Sequence, residues 1–156
     1  MKLLIANRGE IAIRIMRAAA ELDMPTVAVF PEDDASALHT QRADEAVVLK
    51  GVGATAYLNI EQITTVAKES DCDFSHPGYG FLSDNAGFAR RREEEGLIFV
   101  GPRAENLVAF GDKAQARALA ERCGVPVLKG SSGPVYFSII TFPVQLMAQM
   151  LCTRFQ

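Results

Sequence analysis

Lys2-Leu3-Leu4-Ile5-Ala6-Asn7-Arg8-Gly9-Glu10-Ile11-Ala12 passes from an apolar run into a helical pattern within one short turn. Leu3 to Ala6 is continuous rather than alternating, which marks a strand covered on both faces. From about Glu10 to Asp23 the period changes: Ile11, Ile15, Ala18 and Leu22 recur on one helical face, and Arg14, Arg17 and Glu21 on another. Pro25 ends that helix, and Thr26 to Phe30 returns to a β-type run.

The same alternation continues along the chain. Strands are predicted over Ala46–Leu49, Cys72–Ser75 and Leu97–Val100. Helices are predicted from Asn59, as cap, to about Ser70, over Asp84–Glu95 with Ser83 as cap and Gly96 as stop, and over Ala104–Phe110 and Asp112–Cys123. Gly51 to Tyr57 reads as a loop. Strands that alternate with helices predict an α/β fold, a parallel sheet with helices on both faces. Ligand loops of such sheets gather at the carboxyl ends of the strands. That rim holds Asn7–Glu10, Phe30–Asp34, His76–Phe81 and Gly101–Arg103.

Composition narrows the function. A net charge of −3 with no basic cluster argues against nucleic acid as the partner, and no polybasic stretch marks a membrane surface. Cys72, Cys123 and Cys152 are scattered, as expected of free thiols in a reducing compartment, and neither His39 nor His76 has a companion at zinc-ligand spacing. The first apolar run is too short for a signal-peptide core, so a cytoplasmic protein is expected.

Four motifs admit a functional reading. Asn7-Arg8-Gly9-Glu10 lacks the glycines of a dinucleotide fingerprint and reads as a plain strand-to-helix turn. Gly51-Val52-Gly53-Ala54-Thr55-Ala56 fits a loose glycine pattern, but Tyr57-Leu58-Asn59 separate it from the next helix. His76-Pro77-Gly78-Tyr79-Gly80-Phe81 is either a tight structural turn or a loop that presents Tyr79 or its own N–H groups to a ligand. Lys113, in a first helical turn, is either solvated or a point-charge contact for phosphate. Arg90-Arg91-Arg92 before Glu93-Glu94-Glu95 reads as a solvated, self-paired helix face.

Taken in order, the opening stretch, His76-Pro77-Gly78-Tyr79-Gly80-Phe81-Leu82-Ser83, Phe99-Val100-Gly101-Pro102, Gly111-Asp112-Lys113 and Gly124-Val125-Pro126 resemble the biotin carboxylase family over about Met1 to Pro134. The resemblance implies a Rossmann-like pre-ATP-grasp domain over 1–134. It also implies an enzyme that uses Mg-ATP to activate bicarbonate and then carboxylates biotin on a carrier. By motif match, Lys113 contacts ATP, Tyr79 lines the biotin side of the site, and the helix with Arg14, Arg17 and Glu21 makes a homodimer contact. The family's partners are the biotin carboxyl carrier protein or domain and the carboxyltransferase. No catalytic residue and no metal ligand is assigned to this chain.

The match fails from Val135. No charged residue falls between Val135 and Cys152, and Pro143, Gln145 and Gln149 interrupt that run. Amides buried in lipid are costly, and a spanning helix needs roughly 20 apolar residues. We expect 135–156 to be an atypical apolar tail, such as a frameshift produces, rather than a membrane anchor. The expectation is a truncated biotin carboxylase, inactive alone and binding none of its cofactors tightly. The alternatives are a non-catalytic dimerisation or binding module derived from one, and, ranked last, another ATP-grasp ligase.

Overall fold

The computed structural model describes residues 1–128, so the apolar run from Val135 lies outside the described residues. Two compact units divide the chain, Met1–Lys113 and a second from Ala114.

The first unit is a parallel sheet of β1 (Leu3–Ile5), β2 (Thr26–Pro31), β3 (Glu45–Leu49), β4 (Phe74–His76) and β5 (Ile98–Phe99), in the order β3-β2-β1-β4-β5. Its helices are α1 (Gly9–Ala20), α2 (Leu38–Arg42), α3 (Ile60–Glu69), α4 (Ala86–Glu94) and α5 (Ala104–Gly111). The predicted α/β class holds. Successive strand residues point to opposite faces, so the central strands β1 and β2 feed two cores. Leu4, Val27 and Val29 meet Ile63, Val66 and Phe88 of α3 and α4. Leu3, Ile5 and Ala28 meet Ala12, Met16 and Ala19 of α1. Both sides of β1 are sealed, which is why Leu3 to Ala6 is apolar without alternation.

Where local hydrogen bonds decide, the elements differ from the sequence reading. Asn59 caps α3 as expected, its side-chain oxygen accepting from the Gln62 N–H at 3.0 Å. The cap of α4 is Asn85, not Ser83: its oxygen accepts from Phe88 N–H at 3.0 Å. Turns from Gly80 to Ser83 and from Leu82 to Asn85 use up the intervening residues before the helix starts. Gly53–Leu58 is a 3-10 helix rather than a loop, and it buries Tyr57 completely. The short α2 was not predicted.

Two helix faces also differ. On α1 the sheet takes Ala12, Met16 and Ala19, while Leu22 of the predicted apolar stripe is 69% exposed. Ile15 of that stripe packs at the margin of the same cluster, and Leu22 lies beyond the helix end. On α4, Arg91 pairs with Glu61, Glu94 and Glu95 as a solvated face should. Arg92, however, is fully buried, because it follows Phe88 by one helical turn on the face that covers the sheet.

The second unit contains nearly all of α6 (Lys113–Arg122). Its end is closed by Gly124 at φ +72°, with the Val125 N–H donating back to the Ala120 carbonyl at 2.9 Å. This is a left-handed glycine stop, immediately after the predicted helix end at Cys123.

Candidate functional site at the carboxyl edge of the sheet

β1 and β4 are neighbours with Ile5 beside His76, yet the chain leaves them for opposite faces, to α1 after β1 and to α4 after β4. A parallel sheet opens a crevice at such a reversal, where ligands commonly bind. Asn7 occupies this position and is 1% exposed. Its amide donates to the carbonyls of Pro77 at 2.7 Å and Tyr79 at 2.9 Å, and its oxygen accepts from Arg8 N–H at 2.9 Å. One step earlier, Ala6 N–H donates to the His76 carbonyl at 2.9 Å. The side chain of the first loop thus acts as a rung that holds the second loop to β1.

The loop is shaped to receive that rung. Gly78 has φ +69°, and a Cβ there would lie 2.5 Å from the Asn7 amide nitrogen. The position needs glycine twice over, for its backbone angle and for the close approach. His76 Nδ1 accepts from Gly78 N–H at 3.0 Å, which places the proton of the neutral ring on Nε2. Burial pushes the His76 imidazole below its ordinary value, so the neutral ring is the form that serves at pH 7. On the far side, Phe81 stacks on Tyr57 with centroids 4.9 Å apart, and Leu82 is buried.

Fixed at both ends, the loop holds Tyr79 outward at 80% exposure. The two readings of this stretch are therefore compatible: the turn is structural, and its product is a displayed aromatic ring. Beside it, on the α1 side of the sheet, lies an open groove of about 690 Å³. Ile11, Ile15 and Leu22 form one wall; Phe74, His76 and Tyr79 contribute to the other. The stripe that α1 turns away from the sheet therefore lines this groove.

The other candidate residues fall elsewhere. Gly51 N–H donates to Glu32 at 3.2 Å and Gly53 N–H to Asp33 at 2.9 Å. Carboxylates on the neighbouring loop thus occupy the amide groups a phosphate would need, which removes the physical basis for a phosphate cradle there. Lys113 opens α6, is exposed, and takes no part in the Asn7 hydrogen bonds. Arg14, Arg17 and Glu21 are exposed along α1 and just beyond its end. Among the described residues no group of three or more His, Cys, Asp or Glu is placed to hold a metal ion. No helix among them is long and apolar enough to cross a membrane.

Residues 1–107 match the family described as the N-terminal domain of biotin carboxylase. Pyruvate carboxylase of Staphylococcus aureus is 55% identical over 136 residues, covering 86% of this chain and 12% of that protein. A putative urea carboxylase of Emericella nidulans is 50% identical over 133 residues, covering 85% of this chain and 11% of that protein. Among solved structures, the biotin carboxylase domain of a single-chain bacterial carboxylase superposes with a TM-score of 0.81 at 47% identity, covering 98% of this chain and 34% of that one. The biotin carboxylase domain of a thermophilic 2-oxoglutarate carboxylase bound to bicarbonate gives 0.82 at 45% identity, covering 85% and 30%. The chain therefore spans about 12% of the length of the curated pyruvate carboxylases it matches.

Proposed function

The chain belongs to the biotin carboxylase family through its N-terminal domain, and we propose that it supplies one wall of a site where ATP and bicarbonate carboxylate biotin. The observation that carries this reading is the Asn7 rung, which holds the Tyr79 ring out at the crevice where ligands of such sheets collect. In this reading Tyr79 borders the biotin side and Lys113 contacts an ATP phosphate. The donor sets are suited to those roles. An exposed aromatic ring between pinned backbone segments offers a flat apolar face, and an exposed ammonium offers a mobile point charge. Bound Mg-ATP would supply the activated phosphoryl group. The chain's own share is to orient and to exclude water. Biotin carrier and carboxyltransferase are the proposed partners, in a cytoplasmic setting that suits the free Cys72 and Cys123.

On its own the 156-residue chain is not expected to cleave ATP. Transfer of a phosphoryl group requires charge stabilisation by several placed cations, and one lysine gives only part of that. The test has two arms. Incubated with Mg-ATP, bicarbonate and free biotin, the purified chain should release no bicarbonate-dependent ADP; release above the protein-free rate refutes inactivity. Residues 1–128, exchanged for the matching segment of a pyruvate carboxylase relative, should keep that enzyme's bicarbonate-dependent ATP cleavage. A folded but silent chimera would overturn the assignment itself.

The exposed row of Arg14, Arg17 and Glu21 favours a second reading, a dimer contact through α1. A concentration-dependent dimer on a sizing column, abolished by the paired charge reversals R17E and E21R, is its expected result. A monomer at every concentration rejects it.

A further inference from the structure

Burying a charged side chain stabilises a fold only when the charge is partnered. Arg92 has no exposed surface, and none of its three guanidinium nitrogens has a hydrogen-bond partner. The Phe88 ring, whose centroid lies 4.3 Å from the guanidinium carbon, and the field of the Glu61 and Glu95 carboxylates, neither of which hydrogen-bonds to it, offset the burial only in part. A cation over a ring recovers part of the lost hydration and leaves the N–H groups unsatisfied. Burial, and the like charge of Arg91 next in sequence, push the guanidinium down to about 10.

A second orphan lies on the same side of the sheet. The Ser75 hydroxyl is buried without a partner. Ser75 pairs in register with Leu4, which faces the α3 and α4 side, and with Phe99, whose ring meets Phe88 edge-on at 5.8 Å. His39 is the only other described residue with a buried unpartnered side-chain polar atom, and it sits on α2. Two of the three such residues therefore lie on the α3 and α4 side of the sheet. The flank is weak as well. β5 is two residues long and forms the sheet edge, with Ile98 55% exposed.

We infer that α4 and β5 form a local unit that opens ahead of the rest of the sheet, freeing the Arg92 side chain and the Ser75 hydroxyl to water while the Asn7 rung keeps the Tyr79 loop on β1. The hinge is the turn series Gly80–Asn85, in which Gly80 and Phe81 hold positive φ angles of 69° and 47°. Elements that open first are those with few satisfied buried groups, and their amides report it by exchanging without global unfolding. The open state uncovers the apolar sheet face that Phe88 and Phe99 seal, next to the loop that displays Tyr79.

Native-state hydrogen exchange on the full chain tests this. Amides within Ala89–Leu97 should exchange at least about tenfold faster than those within Ile63–Ser70 of α3, with almost no urea dependence at low urea. In R92M, which keeps an unbranched side chain and removes the charge and its N–H groups, exchange across α4 should slow by about tenfold or more, while α3 changes little. S75A should move α4 in the same direction by less. Equal protection of α3 and α4 overturns the inference, and so does a urea slope for α4 equal to that of α3. An R92M protein with unchanged or faster exchange in α4 overturns it too. Should R92M not fold, the urea slopes of the unaltered chain decide.

Discussion

Gly78→Ala is expected to lower the stability of the first unit by roughly 2–5 kcal/mol, read as a fall in the urea midpoint at unchanged slope. Two penalties combine. An L-residue at φ +69° meets its own carbonyl, which costs about 1–2 kcal/mol. A methyl group 2.5 Å from the Asn7 amide nitrogen and 2.7 Å from its Cγ also displaces a buried side chain that hydrogen bonds fix from both ends. Overpacking of that kind costs a further 1–3 kcal/mol or so. The loop contains its own control. Gly80 has the same φ of +69°, with nothing within 4 Å of the added carbon. Gly80→Ala should therefore cost only the backbone part, about 1–2 kcal/mol. If the two alanine variants prove equally stable, the Asn7 contact has no energetic role and the rung is decorative.

The contrast between these glycines shows what a sequence can and cannot disclose. The motif His76-Pro77-Gly78-Tyr79-Gly80-Phe81 announced an unusual turn, because glycines flank an aromatic after a strand. Which glycine is irreplaceable depends on Asn7, which lies far away in the chain and arrives only because β1 pairs with β4. Asn7 carried no local signal; in Asn7-Arg8-Gly9 it looked like an ordinary turn residue. The strand order follows the same logic. The number and class of strands were legible in short apolar runs that give way to a helical period of 3.6, and the position of the sheet reversal was not.

Helix faces were legible where one kind of residue dominates and misleading where two compete. Ile11 and Ile15 of α1 and Leu22 just beyond its end form a bulky apolar stripe, and the sequence favours burying it. The sheet instead selects Ala12, Met16 and Ala19, and the bulky set is left to border the groove beside Tyr79. On α4 the charge run suggested a fully solvated face. Helical spacing still places one of three consecutive arginines in line with Phe88, whatever its charge. Asn85, rather than Ser83, caps this helix because the preceding turns fix where the chain first becomes free to wind. The two differences in helix face share one origin, a helix placed by tertiary contact against its local preference.

Asn7→Ala is expected to cost roughly 2–4 kcal/mol, since it removes both donors to the Pro77 and Tyr79 carbonyls and leaves a small void beside Gly78. Its value lies in the combination with Gly78→Ala. Once the amide is gone, the approaches to Nδ2 at 2.5 Å and Cγ at 2.7 Å are removed and only the one to Cβ at 2.8 Å is left, so the double variant should be more stable than the sum of the two single losses by about 1 kcal/mol. Strict additivity would mean that the short approach at Gly78 is relieved in some other way. Asn7→Asp separates size from donation. It has the same shape, but a carboxylate offers no proton to either carbonyl and repels both. The folded state then favours the protonated acid, which raises its pKa above the unfolded value of about 3.9. A raised folded-state pKa in an acid means that the variant is closest to the parent below pH 4 or so, and loses ground as pH rises through the folded value. Melting curves of parent and variant should therefore separate with rising pH. Curves that separate with falling pH, or run parallel throughout, would show that the residue at position 7 acts by filling space and not as the donor that holds the two loops together.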